Sequence, residues 1–155
     1  MSASAPEVRL RALGIELPQP PAPAAAYAPM VRSGDLLFVA GQVAAVGGGL
    51  IAAGKLGGDV DTDTGVRCAR QCAVNLLAQL RAALGDLEAV RRVVKLTVFV
   101  ASDPFFTDQH LVADGASELL GEVFGDAGRH ARSAVGVSAL PLDSPVEVDA
   151  VIEVA

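Results

Sequence analysis

Apolar residues follow strand spacing in some segments of the chain and helix spacing in others. From about residue 62 to 84 they recur every three or four positions, which predicts a helix that ends at Gly85. A second helix is predicted to begin at Thr107 or Asp108 and to run to about residue 124. Its predicted inner face holds Leu111, Val112, Leu119, Leu120 and Val123.

Strand patterns surround these two helices. MVRSGDLLFVAG predicts two strands joined by a Ser-Gly-Asp turn, with Gly41 ending the second. RVVKLTVFVA alternates so that one side carries Val94, Leu96, Val98 and Val100. Residues 132–139 and 146–154 predict two final strands, joined by a loop that contains Pro141 and Pro145. The last strand has one apolar face and one mixed face, which carries Glu147, Asp149, Val151 and Glu153.

The N-terminal region is different in character. Residues 5–14 predict a short helix, and ELPQPPAPAAA then predicts an extended linker or draped arm, because proline removes hydrogen-bond donors. GGGLIAAGKLGG predicts a flexible hairpin tip, since it lacks the Lys-Ser/Thr pair of a phosphate loop and opens no helix. The arm and its helix, residues 1–26, therefore precede the main body of one domain, residues 1–155.

This order of elements predicts an α+β fold, a single mixed sheet covered on one face by two helices. Apolar residues make up 52% of the chain and charged residues 19%. This composition gives more apolar surface than one small domain buries, and the excess favours self-association. We therefore expect the uncovered sheet face, with its mixed strand, to form a subunit interface that contains polar pockets.

Composition also limits the partners and the compartment. A formal net charge of -6 disfavours nucleic acid as a partner. No segment approaches the ~20 apolar residues of a membrane helix, and the charged N-terminus lacks the apolar run of a signal peptide, so we expect a cytoplasmic protein with no membrane partner. Cys68 and Cys72 are interpreted as small buried residues of one helix face, because a zinc site needs more ligands close by.

Arg132 is the first candidate for chemistry. It opens a strand whose same face carries only Ala134, Gly136 and Ser138, so we expect its guanidinium to stand beside an unfilled hollow. The planar donor fork of arginine matches a carboxylate, which predicts a small carboxylate ligand. The alternative is a structural ion pair with an acidic residue across a subunit interface.

Glu147 is the second candidate. A carboxylate in a partly enclosed interface has a raised pKa and can activate water, whereas an outward glutamate is simply solvated. If the last two strands form a hairpin, Glu147 pairs near Ser138 and lies roughly 20 Å from Arg132 at strand rise. The two side chains then serve one small ligand only if they come from different subunits.

Three further residues qualify by position. His130 lies near Arg132, and histidine is a residue type often used to transfer protons. An acid/base pair of His110 and His130 for RNA cleavage is disfavoured by the net charge. Tyr27, the only tyrosine, either caps a pocket or anchors the proline-rich arm.

Three segments resemble the RidA/YjgF family, also called L-PSP endoribonuclease-like proteins: YAPMVRSGDLLFVAGQV, VVKLTVFVASDPFF and RSAVGVSALPLDSPVEVDAVIEV. GRHARSAVGVSALPL resembles a longer branch with an extra N-terminal helix. The resemblance runs from about Tyr27 to the end of the chain. It implies a chorismate-mutase-like fold, a homotrimer and small-ligand clefts between subunits.

The resemblance also implies an activity, hydrolysis of reactive enamine/imine intermediates such as 2-aminoacrylate to a 2-keto acid and ammonia, without metal or organic cofactor. It places the carboxylate grip on Arg132 and the water-handling carboxylate on Glu147. The remaining pocket positions are Tyr27, Gly41 and Pro141.

Three positions depart from the family pattern. Ala134 replaces a cysteine, Ala40 a serine and Pro104 an asparagine, so several polar contacts are lost while the arginine is kept. These losses motivate an alternative function, a non-catalytic protein of the family that binds or senses a small carboxylate metabolite.

Overall fold

The computed structural model describes residues 3–20 and 26–155. Residues 21–25 of the predicted arm lie outside the described residues. The helices are α1 (Ala5–Ala12), α2 (Thr62–Leu84) and α3 (Gln109–Phe124). The strands are β1 (Met30–Ser33), β2 (Leu36–Val43), β3 (Ala45–Val46), β4 (Gly49–Leu50), β5 (Val90–Ala101), β6 (Ala131–Val137) and β7 (Val146–Val154).

The ends of α2 follow from local chemistry. The Asp61 carboxylate accepts a hydrogen bond of 2.8 Å from the Thr64 backbone N–H, which satisfies a free donor of the first turn. Gly85 ends the helix at φ 83°, and its N–H donates to the Arg81 carbonyl. The predicted helix and its glycine stop are confirmed, and so is the hairpin at the glycine-rich segment, which forms β3 and β4.

The main sheet has the strand order β1-β2-β7-β5-β6. The chain crosses over through α3 after β5, and a helical crossover returns it in the same direction, so β6 pairs parallel with β5. Strand β7 then inserts antiparallel between β2 and β5. The predicted mixed α+β sheet is confirmed, but the predicted pairing of the last two strands is wrong, because β5 separates them.

Three register shifts interrupt the pairing of β7 with its two neighbours, and the first lies between Val90 and Arg92 of β5. The pairing of β5 with β7 slips between Val93 and Lys95, so Val93 is fully buried and Val94, predicted to face inward, is only partly buried. The pairing of β2 with β7 slips between Val39 and Gln42. The strand runs past Gly41 to Val43, so the prediction that Gly41 ends β2 is wrong.

Helices α2 and α3 cover one face of the sheet, and α1 packs beside α3. Arg9 of α1 donates a hydrogen bond of 3.0 Å to the Val123 carbonyl, and Leu10 is 2% exposed. The inner face of α3 is as predicted except for Leu111, which is 43% exposed. On this side of β7 the core contains the predicted apolar row, Val146, Val148, Ala150, Ile152 and Val154.

The opposite face of the sheet, called here the open face, has no helix of the described chain over it. It exposes Val31, Phe38 and Val135, each between 40% and 59% accessible. Strand pairing places Glu147 on this face as well, opposite Phe99 and Val43. Within the described residues, no helix has the length and apolar character that a bilayer crossing requires.

Candidate functional site

Arg132 is held by helix α3. Its Nη1 donates to Asp114 Oδ1 at 2.8 Å and to Ser117 Oγ at 3.2 Å, and its Nη2 donates to the His110 carbonyl at 3.3 Å. The Arg132 side chain is 23% exposed and that of Asp114 48%. The ion pair thus lies at the rim of the covered face, where Arg132 is paired across the sheet with Leu96.

The unfilled hollow predicted over the small residues of β6 is wrong, because the open space at Arg132 is lined instead by Ser117, Gly121, Gly128, Arg129 and His130. The small residues of β6 make room for the start of α3 instead: a Cβ at Gly136 would lie 2.8 Å from Gln109 Nε2. Ala134 packs against the core. An acidic residue does neutralise Arg132, as in the alternative reading, but it comes from the same chain. A guanidinium has five N–H donors, and three hydrogen bonds leave two of them for another acceptor.

His130 joins the same cluster. Its Nδ1 lies 2.6 Å from the Gly128 carbonyl and its Nε2 2.9 Å from Ser117 Oγ. Because a carbonyl only accepts, Nδ1 carries the proton, and in the neutral ring Nε2 accepts from the Ser117 hydroxyl. Ser117 therefore connects His130 to Arg132. Sequence reasoning missed this serine, although its spacing of three from Asp114 places both on one face of α3.

A shallow depression of about 290 Å³ lies over this cluster. Its walls are Ser117, Gly121, Gly128, Arg129, His130 and Arg132. The depression thus brings two of the predicted site residues, His130 and Arg132, to one surface.

Glu147 lies on the open face, partly buried beside Gly41. Burial raises the pKa of the Glu147 carboxyl, and the neighbouring Asp149 carboxylate raises it further. A Cβ on Gly41 would overlap the Glu147 carboxylate, so this position tolerates only glycine while the glutamate keeps its place. Partial burial and a raised pKa agree with the environment expected for Glu147, whereas its place in a subunit interface and its role stay predictions.

Further polar groups accompany Glu147 on the open face. Burial also raises the pKa of Asp149, opposed by a hydrogen bond from Thr97 and the charge of Lys95. Lys95 Nζ donates to Ser133 Oγ at 3.1 Å, across β5 and β6. Sequence reasoning did not single out these groups as a site, although the alternation of β7 puts Asp149 beside Glu147.

Arg132 and Glu147 do not meet within one chain. They lie on opposite faces of the sheet, on strands separated by β5. The separation of roughly 20 Å was estimated from a hairpin of the last two strands, and that hairpin is wrong. The conclusion drawn from it still follows, because one small ligand does not reach both faces of a sheet.

Tyr27 and Gly41 lie together at a third place, a cavity of about 1050 Å³ beside α2. This cavity, called here the chamber, is bounded by residues 14–20, by α2 and by the β3–β4 hairpin. Tyr27 is 60% exposed. Pro141 begins the turn whose next residue, Leu142, lines the chamber, and Leu142 and Asp143 adopt φ 61° and 62°.

The cysteines belong to the core. Cys68 and Cys72 are fully buried, and burial raises the pKa of both thiols, as expected for structural residues. The described residues contain no group of three or more His, Cys, Asp or Glu side chains arranged to hold a metal ion.

Comparison with known proteins places this architecture. A family model described as "YjgF/chorismate_mutase-like, putative endoribonuclease" matches residues 7–154. Protein TCP17 of Trypanosoma cruzi is 50% identical over 145 residues, covering 93% of this chain and 91% of that protein.

Two crystal structures have the same fold. Protein Atu1372 of Agrobacterium tumefaciens, whose function is unknown, superposes with a TM-score of 0.92 at 49% identity, covering 97% of this chain and 93% of its own. A protein from Shewanella oneidensis superposes with a TM-score of 0.94 at 34% identity, covering 97% of this chain and 100% of its own. The chain therefore belongs to the YjgF/chorismate-mutase-like family.

Proposed function

We propose that the protein is an enamine/imine deaminase that hydrolyses 2-imino acids to 2-keto acids and ammonia in clefts between the subunits of a homotrimer. The observation that carries this proposal is the partly buried Glu147 carboxyl, with its raised pKa, lying against Gly41 on the open face. Family membership supports the same reaction class.

The reaction needs a group that takes a proton from water and later returns one to nitrogen. The Glu147 carboxylate accepts a proton as the water oxygen bonds to C2 of the imine, and its raised pKa makes it a stronger base than an exposed glutamate. Return of that proton to the nitrogen gives a carbinolamine, and Glu147 then carries the proton of the C2 hydroxyl to the amino group, which allows the C2–N bond to break. Ammonia leaves, and the C2 oxygen becomes the keto group.

Arg132 of a neighbouring subunit supplies the carboxylate grip in this proposal. Its two remaining N–H donors suffice for one substrate carboxylate, while Asp114 and Ser117 fix the direction of the side chain. Two subunits are needed because Arg132 and Glu147 lie on opposite faces of the sheet. The exposed apolar residues Val31, Phe38 and Val135 favour assembly through the open face.

The other predicted residues line the cleft. Tyr27 closes it over the substrate, Gly41 and Pro141 form its wall, and Ala134 and His130 flank the arginine. No metal or organic cofactor takes part in the proposed step.

A second function is favoured by one specific contact. The ion pair of Arg132 with Asp114 partly neutralises the guanidinium that a substrate carboxylate would contact. Together with Ala40, Ala134 and Pro104, this favours a protein that binds a small carboxylate metabolite for regulation, without turnover.

The two functions are separated by one assay. The protein is incubated with imines generated in situ from a broad panel of amino acids, and the release of keto acid is compared with buffer alone. Loss of acceleration in Glu147→Gln, but not in Glu153→Gln on the same face of β7, supports the deaminase. If folded protein accelerates no imine yet keto acids raise its melting temperature, the binding function is correct instead.

A further inference from the structure

The chamber has walls that the protein fixes in place. Its roof, residues 14–20, is tied to α2 because Arg81 donates to the Leu17 carbonyl at 3.4 Å and pairs with Glu7 at 3.4 Å. The hairpin at its end is tied to α2 because Asn75 Nδ2 donates to the Val43 and Ala45 carbonyls at 3.0 and 2.9 Å. The cavity is therefore a built feature of one chain.

Gln79 is the first sign of a ligand. Its side chain is 8% exposed and lines the chamber, but its carboxamide makes no hydrogen bond to any residue that the structure describes. Three other amides of the chamber are hydrogen-bonded: Gln42 donates to the Ala40 carbonyl at 3.1 Å, Gln71 donates to Asn75 Oδ1 at 3.0 Å, and Asn75 donates to the two hairpin carbonyls. Among the described residues only Ser4 Oγ is both buried and unpaired, so the Gln79 amide atoms are open to the chamber and can donate to and accept from a bound group.

Arg67 is the second sign. Among residues 3–20 and 26–155 it has no carboxylate at ion-pair distance, and its side chain donates only to Thr64 Oγ1 at 3.2 Å. Its neighbour Arg70, in contrast, pairs with Glu122 at 3.2 Å. Arg67 contributes to lowering the pKa of Asp61 without pairing with it. The chamber thus has an available cation at its exposed side.

The two groups mark the ends of one elongated space. Arg67 and Gln79 are twelve residues apart on α2, which is about 18 Å along a helix axis. Between them the helix turns Val74 and Ala78 toward the chamber, and Leu50 and Ile15 face it from the hairpin and the roof. The same stretch of α2 also presents Arg70, Gln71 and Asn75 to the chamber, so the middle of the space offers an apolar strip beside polar groups.

We propose that the chamber binds an elongated organic acid, with its carboxylate on Arg67, an apolar chain against Val74 and Ala78, and a terminal hydroxyl or carbonyl on Gln79. A cavity of about 1050 Å³ accommodates a molecule of this size. The site goes beyond the proposed deaminase, in which Arg67 and Gln79 have no role. The two share Tyr27 and Gly41, but Glu147, although it packs against Gly41, does not line the chamber.

Binding of ω-hydroxydodecanoate to the full-length protein, measured by calorimetry, tests the site. The wild type is expected to bind it more tightly than dodecanoate, because only the hydroxyl pairs with Gln79. Gln79→Leu, of similar size, is expected to weaken it about tenfold and to abolish the preference over dodecanoate. Arg67→Gln weakens both acids, whereas Arg91→Gln, an exposed arginine outside the chamber, changes neither.

A second measurement separates binding from folding. Gln79→Leu replaces an amide that makes no hydrogen bond within the described residues with an apolar group of similar size, so its melting temperature without ligand is expected to stay close to that of the wild type while affinity falls. Glu147→Gln keeps full affinity, which separates this site from deamination. Absence of binding by folded protein, unchanged affinity in both chamber variants, or a crystal structure in which the protein's own residues or a second copy fill the space overturns the proposal.

Discussion

Arg132 and Asp114 form an ion pair of 2.8 Å between strand β6 and helix α3. The strand sequence predicts an open arginine, yet the folded chain brings a carboxylate to it from 18 residues earlier. Because Ser117 and the His110 carbonyl add two more hydrogen bonds, the guanidinium is oriented as well as partly neutralised. Whether this pair orients Arg132 for substrate or competes with substrate is decided by removing the charge of Asp114.

Asp114→Asn keeps a hydrogen-bond acceptor beside Arg132 but removes the competing charge. We expect affinity for small 2-keto acids to rise about three- to tenfold, and stability to fall by about 1 kcal/mol or less, since Asp114 is half exposed. Calorimetric titration and thermal unfolding measure the two effects. Glu118→Gln, an exposed acid on the same helix, is the matched control. A lower affinity in Asp114→Asn shows that the pair instead positions Arg132 for binding.

Gly41→Ala tests the contact between β2 and Glu147. The added Cβ would overlap the carboxylate, so we expect the Glu147 side chain to be displaced, deamination to fall at least about tenfold and stability to fall by about 1–3 kcal/mol. Gly49→Ala, whose Cβ would meet open space, is expected to change stability little.

A double variant distinguishes this steric clash from general damage to β2. Combining Gly41→Ala with Glu147→Asp shortens the acid, so stability is expected to recover while activity stays low. If the double variant is no more stable than Gly41→Ala alone, the overlap with Glu147 is not the cause.

Sequence patterns predicted those features of the fold that neighbouring residues along the chain determine. The bounds of α2 follow from Asp61 and Gly85, and the alternation of β7 from its one buried face. The parallel pairing of β6 with β5 depends on the path of α3. The register shift after Val93 depends on the partner strand β7. A short stretch of sequence therefore reveals neither of them. The same short range of sequence patterns explains what was predicted of the site. The position of Glu147 follows from alternation within β7, whereas the partners of Arg132 come from another element, α3.

The raised pKa of Glu147 makes a prediction about stability and pH. A folded-state pKa above the ordinary value of 4.5 means that the folded chain binds its proton more tightly than the unfolded chain does. The stabilising effect of that proton is complete below pH 4.5 and disappears as the pH rises through the folded pKa. A glutamine at position 147 does not titrate, so Glu147→Gln does not lose stability in this way. The free energy of unfolding of Glu147→Gln minus that of the wild type is therefore expected to increase between pH 4 and pH 7.

Chemical unfolding at several pH values measures this difference, with Glu153→Gln as the control on the same strand. A difference between Glu147→Gln and the wild type that stays constant over the range contradicts a raised pKa in the folded chain. Asp149→Asn is expected to follow the same direction, because burial also raises the pKa of Asp149.

The open face makes the last prediction, which concerns assembly. Val31 and Phe38 are paired across β1 and β2, and Val135 lies at the other side of the same face, so an interface there buries all three. If the protein assembles as the proposed trimer, Phe38→Asp places a charge in that interface, and its desolvation is expected to give monomers at micromolar concentration while the helical signal in circular dichroism is kept. Val8→Asp, which changes an apolar residue of similar exposure on α1, is expected to leave the oligomer intact.

Because Arg132 and Glu147 reach one substrate only from different subunits, the monomeric variant is also expected to lose deamination although both residues are intact. A monomer that retains full activity contradicts the shared cleft, and a Phe38→Asp protein with unchanged mass in light scattering contradicts assembly through this face.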